Sequence, residues 1–386
     1  MGVVNGYHFV AVSDEVAFGK NNKRDAGPVG NAAQGGTTMT VAANNVLARA
    51  AVAVAVGVVA VASALVLGPA SAEDKPYVMK ISTPTIHDIP DTFARNFGAA
   101  LEKDSGGRIK AEVYPASQLG SIPRQIEGTQ FGSIQCEIVP PEFMVGLDER
   151  FELMAAPGLV ESQAHGQRVA ADPEVRKLML SLGADKGLHG AALFMAEPAS
   201  MITKNPIRHL ADFKGKKIRI FASQFQSEAF NRLGVTPVAM TLGDVLPAIQ
   251  QGAIDGAVTG MGPIVNFHMI DAAKYVTATD QPAIFIIVEI NQKWYDALPK
   301  DLQQLVDKDA REQSTAINAF ATAQLKEVEE QWVKSGGELI NLPAGEKAEF
   351  TKTLASVGAD VSAKKPALAA AYKIVTAAAK RLQSTQ

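Results

Sequence analysis

The chain has 386 residues, with 37 Lys and Arg against 40 Asp and Glu, a formal net charge of −3. That mildly acidic balance offers no electrostatic footprint for nucleic acid, and a single cysteine, Cys136, excludes an intramolecular disulfide. The length exceeds what one hydrophobic core comfortably fills and suits two lobes.

Residues 1–38 are polar, Gly/Asn-rich and aperiodic; they read as a non-native extension, with translation starting at Met39. Arg49 then precedes an uncharged apolar run, Ala50 to Leu67, that ends at Ala70-Ser71-Ala72. A basic residue, an apolar run and a small-x-small site mark a secretory signal peptide, so residues 39–72 are expected to be cleaved. Such a run could also span a bilayer, but its Ala/Val composition is weakly apolar for an anchor. No cysteine follows the cleavage site to carry a lipid, so a soluble periplasmic protein is expected. Cys136 lies in the apolar run IQCEIV and reads as a buried thiol, not a nucleophile.

The segment YVMKIS alternates like a strand, and Asp91 to Leu101 puts Phe93, Phe97 and Leu101 on one helical face. Gly106-Gly107 breaks that helix before a second strand, IKAEVYP. Alternating strands and helices imply an α/β architecture with a largely parallel sheet. One unit occurs twice. The first copy is IKAEVY, the turn PASQLGS, a helix to Gly128, and SIQCEIV; the second is TPVAM, TLGDVLPAIQQG and AIDGAV. In the second, Thr241 is expected to cap a helix with Asp244 at its third position, and Gly252 to end it. From Pro299 onward, Leu302, Leu305, Val306, Ala310, Gln313, Ile317, Phe320, Gln324, Val328 and Trp332 recur at helical spacing until Gly336-Gly337. At about 1.5 Å per residue this helix would be nearly 50 Å long and run across both lobes. An Ala/Lys-rich, helical tail follows from residue 345.

Catalytic signatures are missing: there is no P-loop, no G-x-G-x-x-G after a strand, no G-x-S-x-G and no H-E-x-x-H. His87, His165, His189, His209 and His268 are not paired at metal-ligand spacing, so neither a metal nor a cofactor is expected. In KGKKIRIFAS, Ile218 and Ile220 face the core, which turns Lys217, Arg219 and Phe221 to the other side. That basic face is either solvated, or it aims Arg219 into a cleft at the carboxyl end of the strand. Open α/β sheets bind ligands there, and a guanidinium can grip a carboxylate in a bidentate fork.

Five motifs, in order, carry a family resemblance: YPASQLGS (114–121), ELMAAPGLVESQAHGQRV (152–169), LADFKGKKIRIFAS (210–223), LGVTPVAMTLGDVLPAIQQGAIDGAVTG (233–260) and KWYDALPKDLQQLV (293–306). Over residues 76–345 the chain resembles the DctP-type substrate-binding proteins of tripartite ATP-independent periplasmic (TRAP) transporters. The resemblance implies a two-lobe periplasmic binding protein fold, with a ligand cleft between lobes and a long helix spanning both. Lobe I would comprise residues 73–198 and 284–322, and lobe II residues 199–283 and 323–386. It implies a monomeric receptor, not an enzyme, that delivers a small carboxylate to TRAP permease subunits in the membrane. A periplasmic enzyme on the same fold and a ligand-sensing partner of a receptor kinase are the alternatives.

The family's carboxylate-clamping arginine falls on Arg219, joined in the cleft by Phe221, Thr259, Met261, Asn266, Thr83, Ser121 and Glu142. Some members, the sialic-acid receptors among them, carry a second cleft arginine where Ala199 or Ser200 stands here. The strand AIFIIVEI (283–290) is apolar where polar contacts are sometimes found. These departures point to a monocarboxylate with an apolar or aromatic body.

Overall fold

The alternation in YVMKIS builds strand β1 (Tyr77–Ser82), the first element of a computed structural model that describes residues 75–383. The expected extension, 1–38, and signal segment, 39–72, lie outside the described residues. Helix α1 (Ile89–Asp104) follows, capped by the Asp88 carboxylate, which accepts the Asp91 N–H. Its Phe93, Phe97 and Leu101 are buried, as their spacing predicts. Strand β2 (Ile109–Tyr114), helix α2 (Ile122–Phe131) and strand β3 (Cys136–Val139) complete the first unit, with β1 between β2 and β3 and parallel to both. Gly128 does not end α2. Without a Cβ there, the Ile134 side chain packs against the helix, and the chain turns instead at Gly132, with φ of 87°.

Helices α3 (Gln163–Ala171) and α4 (Pro173–Met179) lead to the long strand β4 (Leu188–Thr203). The second unit is strand β5 (Lys217–Ile220), helix α5 (Gln224–Arg232), strand β6 (Thr236–Ala239), helix α6 (Val245–Gln250), strand β7 (Gly256–Thr259) and helix α7 (Met261–Asn266). Here β5 lies between β6 and β7, parallel to both, as β1 does in the first unit. The repeated pattern is therefore a repeated topology. At the start of α6, a 3₁₀ turn (Leu242–Asp244) intervenes, and the Thr241 hydroxyl donates to the Asp244 carboxylate at 2.7 Å. Counted from the start of that turn, Thr241 is the N-cap and Asp244 the third position as expected; counted from α6 alone, Asp244 is the N-cap, and neither side chain caps a backbone N–H.

Strand β8 (Tyr275–Asn291) pairs antiparallel with β4 through the centre, giving the order β2-β1-β3-β8-β4-β7-β5-β6. Strand β3 is antiparallel to β8, and β7 to β4. The expected largely parallel sheet is thus mixed: each unit is parallel within itself, and two long antiparallel strands join the units. Register shifts interrupt the β4–β8 ladder at three places, including Met195/Glu197 and Pro198/Ser200.

After α8 (Gln292–Ala297) comes α9 (Lys300–Lys334), 35 residues long. It packs on α1 and β4 and, farther along, on α7 and on strand β9 (Glu338–Asn341), which pairs with β8. Most of its expected stripe is buried, but Phe320 is exposed: at 3.6 residues per turn Ala321 takes the inward position instead. The tail forms α10 (Ala344–Leu354), α11 (Val357–Ser362) and α12 (Pro366–Arg381). Helices α10 and α11 pack on α5, whereas α12 packs on α3, α4 and the 149–155 segment. Among the described residues no helix is long and apolar enough to cross a membrane.

Candidate functional site

The carboxyl ends of the strands in both units converge on a cavity, the usual place for a ligand in open α/β sheets. Arg219 enters it from β5. Pleating buries Ile218 and Ile220 in the core and turns Arg219 to the opposite face, where it is 1% exposed. Its Nε donates to the Met240 carbonyl and its Nη1 to the Val258 carbonyl, both at 2.8 Å. These acceptors lie beside β5 at the ends of β6 and β7, so the sheet itself orients the guanidinium. Its carbon sits 4.6 Å from the centre of the Phe221 ring and 5.9 Å from that of Phe143.

No carboxylate among the described residues forms an ion pair with Arg219. Burial pulls its pKa down from 12.5 to about 9, opposed by the nearby Glu142. Glu142 is itself pushed up to about 8 by burial, which the attraction of Arg219 only partly offsets. One oxygen of Glu142, Oε2, has no partner, and at neutral pH the group is mostly protonated. The site therefore holds a buried cation without a counter-charge.

Arg219, Phe221 and Thr259 line the cavity together. Met261 does not: its side chain packs in the second unit's apolar core, and its N–H donates to Glu197 Oε2 at 2.8 Å. The Asn266 amide donates to the carbonyls of Ile86 and His87, tying α7 to the loop after β1. Thr83, first in that loop, is buried, and Thr85 lines the cavity in its place. Ser121 is exposed at the N-cap of α2, and its neighbour Ile122 faces inward. Glu142 is buried and does not line the cavity, whereas its neighbour Phe143 does. The shared reason is local. Beyond a strand's last residue the period-2 rule lapses, and a loop position is easily misassigned by one or two residues.

Two carboxyls that the motifs did not single out also line the cavity. Asp88 comes from the α1 N-cap and Glu197 from the middle of β4. Burial raises Asp88 to about 7 and Glu197 to about 8. The signal for Glu197 was present: it is the one charge in the apolar stretch 191–201. Opposite it, Ile284 and Ile286 of β8 supply apolar wall, as the strand 283–290 suggests. Arg219 is the single basic residue lining the cavity among the described residues.

Three of the five described histidines have structural partners. His189 pairs with Asp307 at 2.8 Å, His209 with Glu346 at 2.8 Å, and His165 reaches the Ala379 carbonyl at 2.9 Å. Among the described residues no group of three or more His, Cys, Asp or Glu is placed to hold a metal ion.

Residues 84–365 match the family model described as bacterial extracellular solute-binding protein, family 7 (DctP). Over 318 residues the chain is 29% identical to the C4-dicarboxylate-binding periplasmic protein DctP of Rhodobacter capsulatus, covering 81% of this chain and 93% of that protein. It is similar in fold to a TRAP periplasmic solute-binding protein from Desulfovibrio salexigens with bound orotic acid. There the TM-score is 0.74 at 21% identity, over 80% of this chain and 100% of that one. A TRAP periplasmic solute-binding protein from Pseudomonas putida F1 with bound D-glucuronate gives a TM-score of 0.72 at 25% identity, over 80% and 97% of the two chains. The family model spans most of the chain and solved structures share its fold, so the chain belongs to the DctP family of bacterial extracellular solute-binding proteins.

Proposed function

We propose that this chain is the extracytoplasmic receptor of a TRAP transporter, and that it captures a small organic acid in the cavity and hands it to membrane permease subunits. The observation that carries the reading is Arg219: buried, held by two backbone carbonyls, walled by Phe221 and Phe143, and without an acidic partner. A guanidinium in that state gains most from a ligand carboxylate, which supplies both the missing charge and a bidentate acceptor. Relatives named for C4-dicarboxylate binding, or solved with orotic acid or D-glucuronate bound, support an acid as the ligand class. The apolar walls and the single arginine favour a monocarboxylate with an apolar or aromatic body.

On this reading residues 39–72 direct export to the periplasm. The lobes divide near residues 198 and 284, with β4 and β8 as the hinge that brings both walls onto the ligand.

A thermal-shift screen of solute-stripped protein against small carboxylates, with Arg219→Ala alongside, tests the proposal. An acid at about 100 times its dissociation constant stabilises by roughly 2.7 kcal/mol, a rise of several degrees. The variant should lose two or more orders of magnitude in affinity. Near-normal binding by Arg219→Ala would overturn the clamp.

A further inference from the structure

The cavity has a second polar end that the arginine does not use. Asp88 is 1% and Glu197 5% exposed, yet both line the cavity, approaching it from different elements. Asp88 Oδ1 accepts from the Thr85 hydroxyl at 2.8 Å and from the Asp91 N–H at 3.2 Å, while its Oδ2 has no partner among the described residues. Glu197 Oε2 accepts the Met261 N–H at 2.8 Å, the Gly262 N–H also bears on the carboxyl, and Oε1 lies beside Gly260 and Gly262. Those glycines let the carboxyls come together: a Cβ at Gly260 would collide with Glu197, and one at Gly262 would touch both Glu197 and Asp88.

The charged groups that act most strongly on this end are acidic. Asp91 raises the pKa of Asp88, and Asp88 and Glu329 raise that of Glu197. Arg95 pairs with Asp91 and forms no ion pair with Asp88 or Glu197. The cavity thus presents a buried cation lacking an anion and, separately, buried carboxyls lacking a cation. An acid with a plain apolar body would answer only the first.

We propose that the ligand is a zwitterion, whose carboxylate pairs with Arg219 and whose protonated amine lies between Asp88 and Glu197. The proposal rests on the reading of this cavity as the solute site and narrows its ligand class. The physical reason is charge balance: an ammonium supplies donors for Asp88 Oδ2 and Glu197 Oε1 and favours ionisation of one of the two carboxyls while the other keeps its proton, so the occupied cavity encloses two cations and two anions. A hydroxyl could donate one hydrogen bond there but brings no positive charge to either carboxyl.

The test compares acids that differ only at the amine: leucine, 5-aminopentanoate and proline against 4-methylpentanoate, pentanoate and cyclopentanecarboxylate. The arms 2-hydroxy-4-methylpentanoate and 5-hydroxypentanoate replace the amine by a hydroxyl. Each is titrated by calorimetry into stripped wild type, Asp88→Asn, Glu197→Gln and Arg219→Met. The Asn and Gln variants keep an acceptor for the Asp91 and Met261 N–H groups, so the fold should persist; thermal unfolding checks this.

The expected result is that at least one amine-bearing acid binds about 100-fold more tightly than its deaminated partner. That ratio should fall at least tenfold in Asp88→Asn and Glu197→Gln. Equal or tighter binding of deaminated or hydroxy acids overturns the amine end while leaving the arginine site standing. So does acid binding that depends on added sodium or calcium ions. Binding that survives Arg219→Met, or no acid bound at all, overturns the site reading itself and this proposal with it.

Discussion

Replacing Arg219 by methionine should raise the unfolding temperature of the empty protein while it abolishes acid binding. The guanidinium is almost fully buried with no carboxylate paired to it, and burial lowers its pKa from 12.5 to about 9. At 1.36 kcal/mol per pKa unit, that difference puts a burden of about 5 kcal/mol on the charged form. Methionine removes the burden and keeps the length and apolar character of the side-chain stem. Against this, the carbonyls of Met240 and Val258 lose a donor, at about 1 kcal/mol each. The contacts with Phe221 and Phe143 are worth about 1 kcal/mol more. The balance is a gain of about 1–2 kcal/mol, or a few degrees in a protein of this size. Differential scanning calorimetry at pH 6.5 is the assay, because Glu142, with a pKa of about 8, is then protonated in both proteins and does not lose an ion partner. A correctly folded variant that melts several degrees below wild type, with no ligand present, would refute the reasoning. It would mean that the arginine holds the empty site together instead of waiting for a counter-ion.

Glu137 and Glu289 stand directly opposite each other on β3 and β8, fully buried, with all four carboxyl oxygens unpartnered. Burial raises both far above the ordinary carboxyl range, so the fold keeps protons that the unfolded chain releases near pH 4.5. Stability should therefore fall as pH rises above that value, by about 1.4 kcal/mol per pH unit for each carboxyl protonated only in the fold. The double variant Glu137→Gln/Glu289→Gln should melt over pH 5–8 with a shallower slope, the remainder coming from Asp88, Glu142 and Glu197. An unchanged slope would show that the pair does not hold its protons. Asn266→Ala removes both bonds from α7 to the carbonyls of Ile86 and His87, which link the two units. If those bonds help hold the ligated form, affinity measured by calorimetry should drop about tenfold; full affinity would rule that out.

Much of this molecule is written in local patterns. The α1 face of Phe93, Phe97 and Leu101, the long helix from Lys300, and the two strand–helix–strand units all follow from periodicity, caps and turn residues. The orientation of Arg219 also follows from alternation along four residues of β5. Loop positions were less legible. Thr83, Ser121 and Glu142 each lie one or two residues from the side chain that lines the cavity: Thr85, Ile122 and Phe143. Which way a residue points after a strand ends depends on what the loop packs against, and that information is not local.

The sequence by itself determined the elements, the family and the side of β5 to which Arg219 turns, because each rests on near neighbours in the chain or on motifs in fixed order. Only the tertiary structure decided that the two parallel units are joined by long antiparallel strands, since strand pairing is settled by contacts between distant segments. It alone brought Asp88, from a helix cap, and Glu197, from a central strand, to one cavity with Arg219. Separated by more than a hundred residues, the two carboxyls share no sequence pattern; packing, not spacing, makes them neighbours.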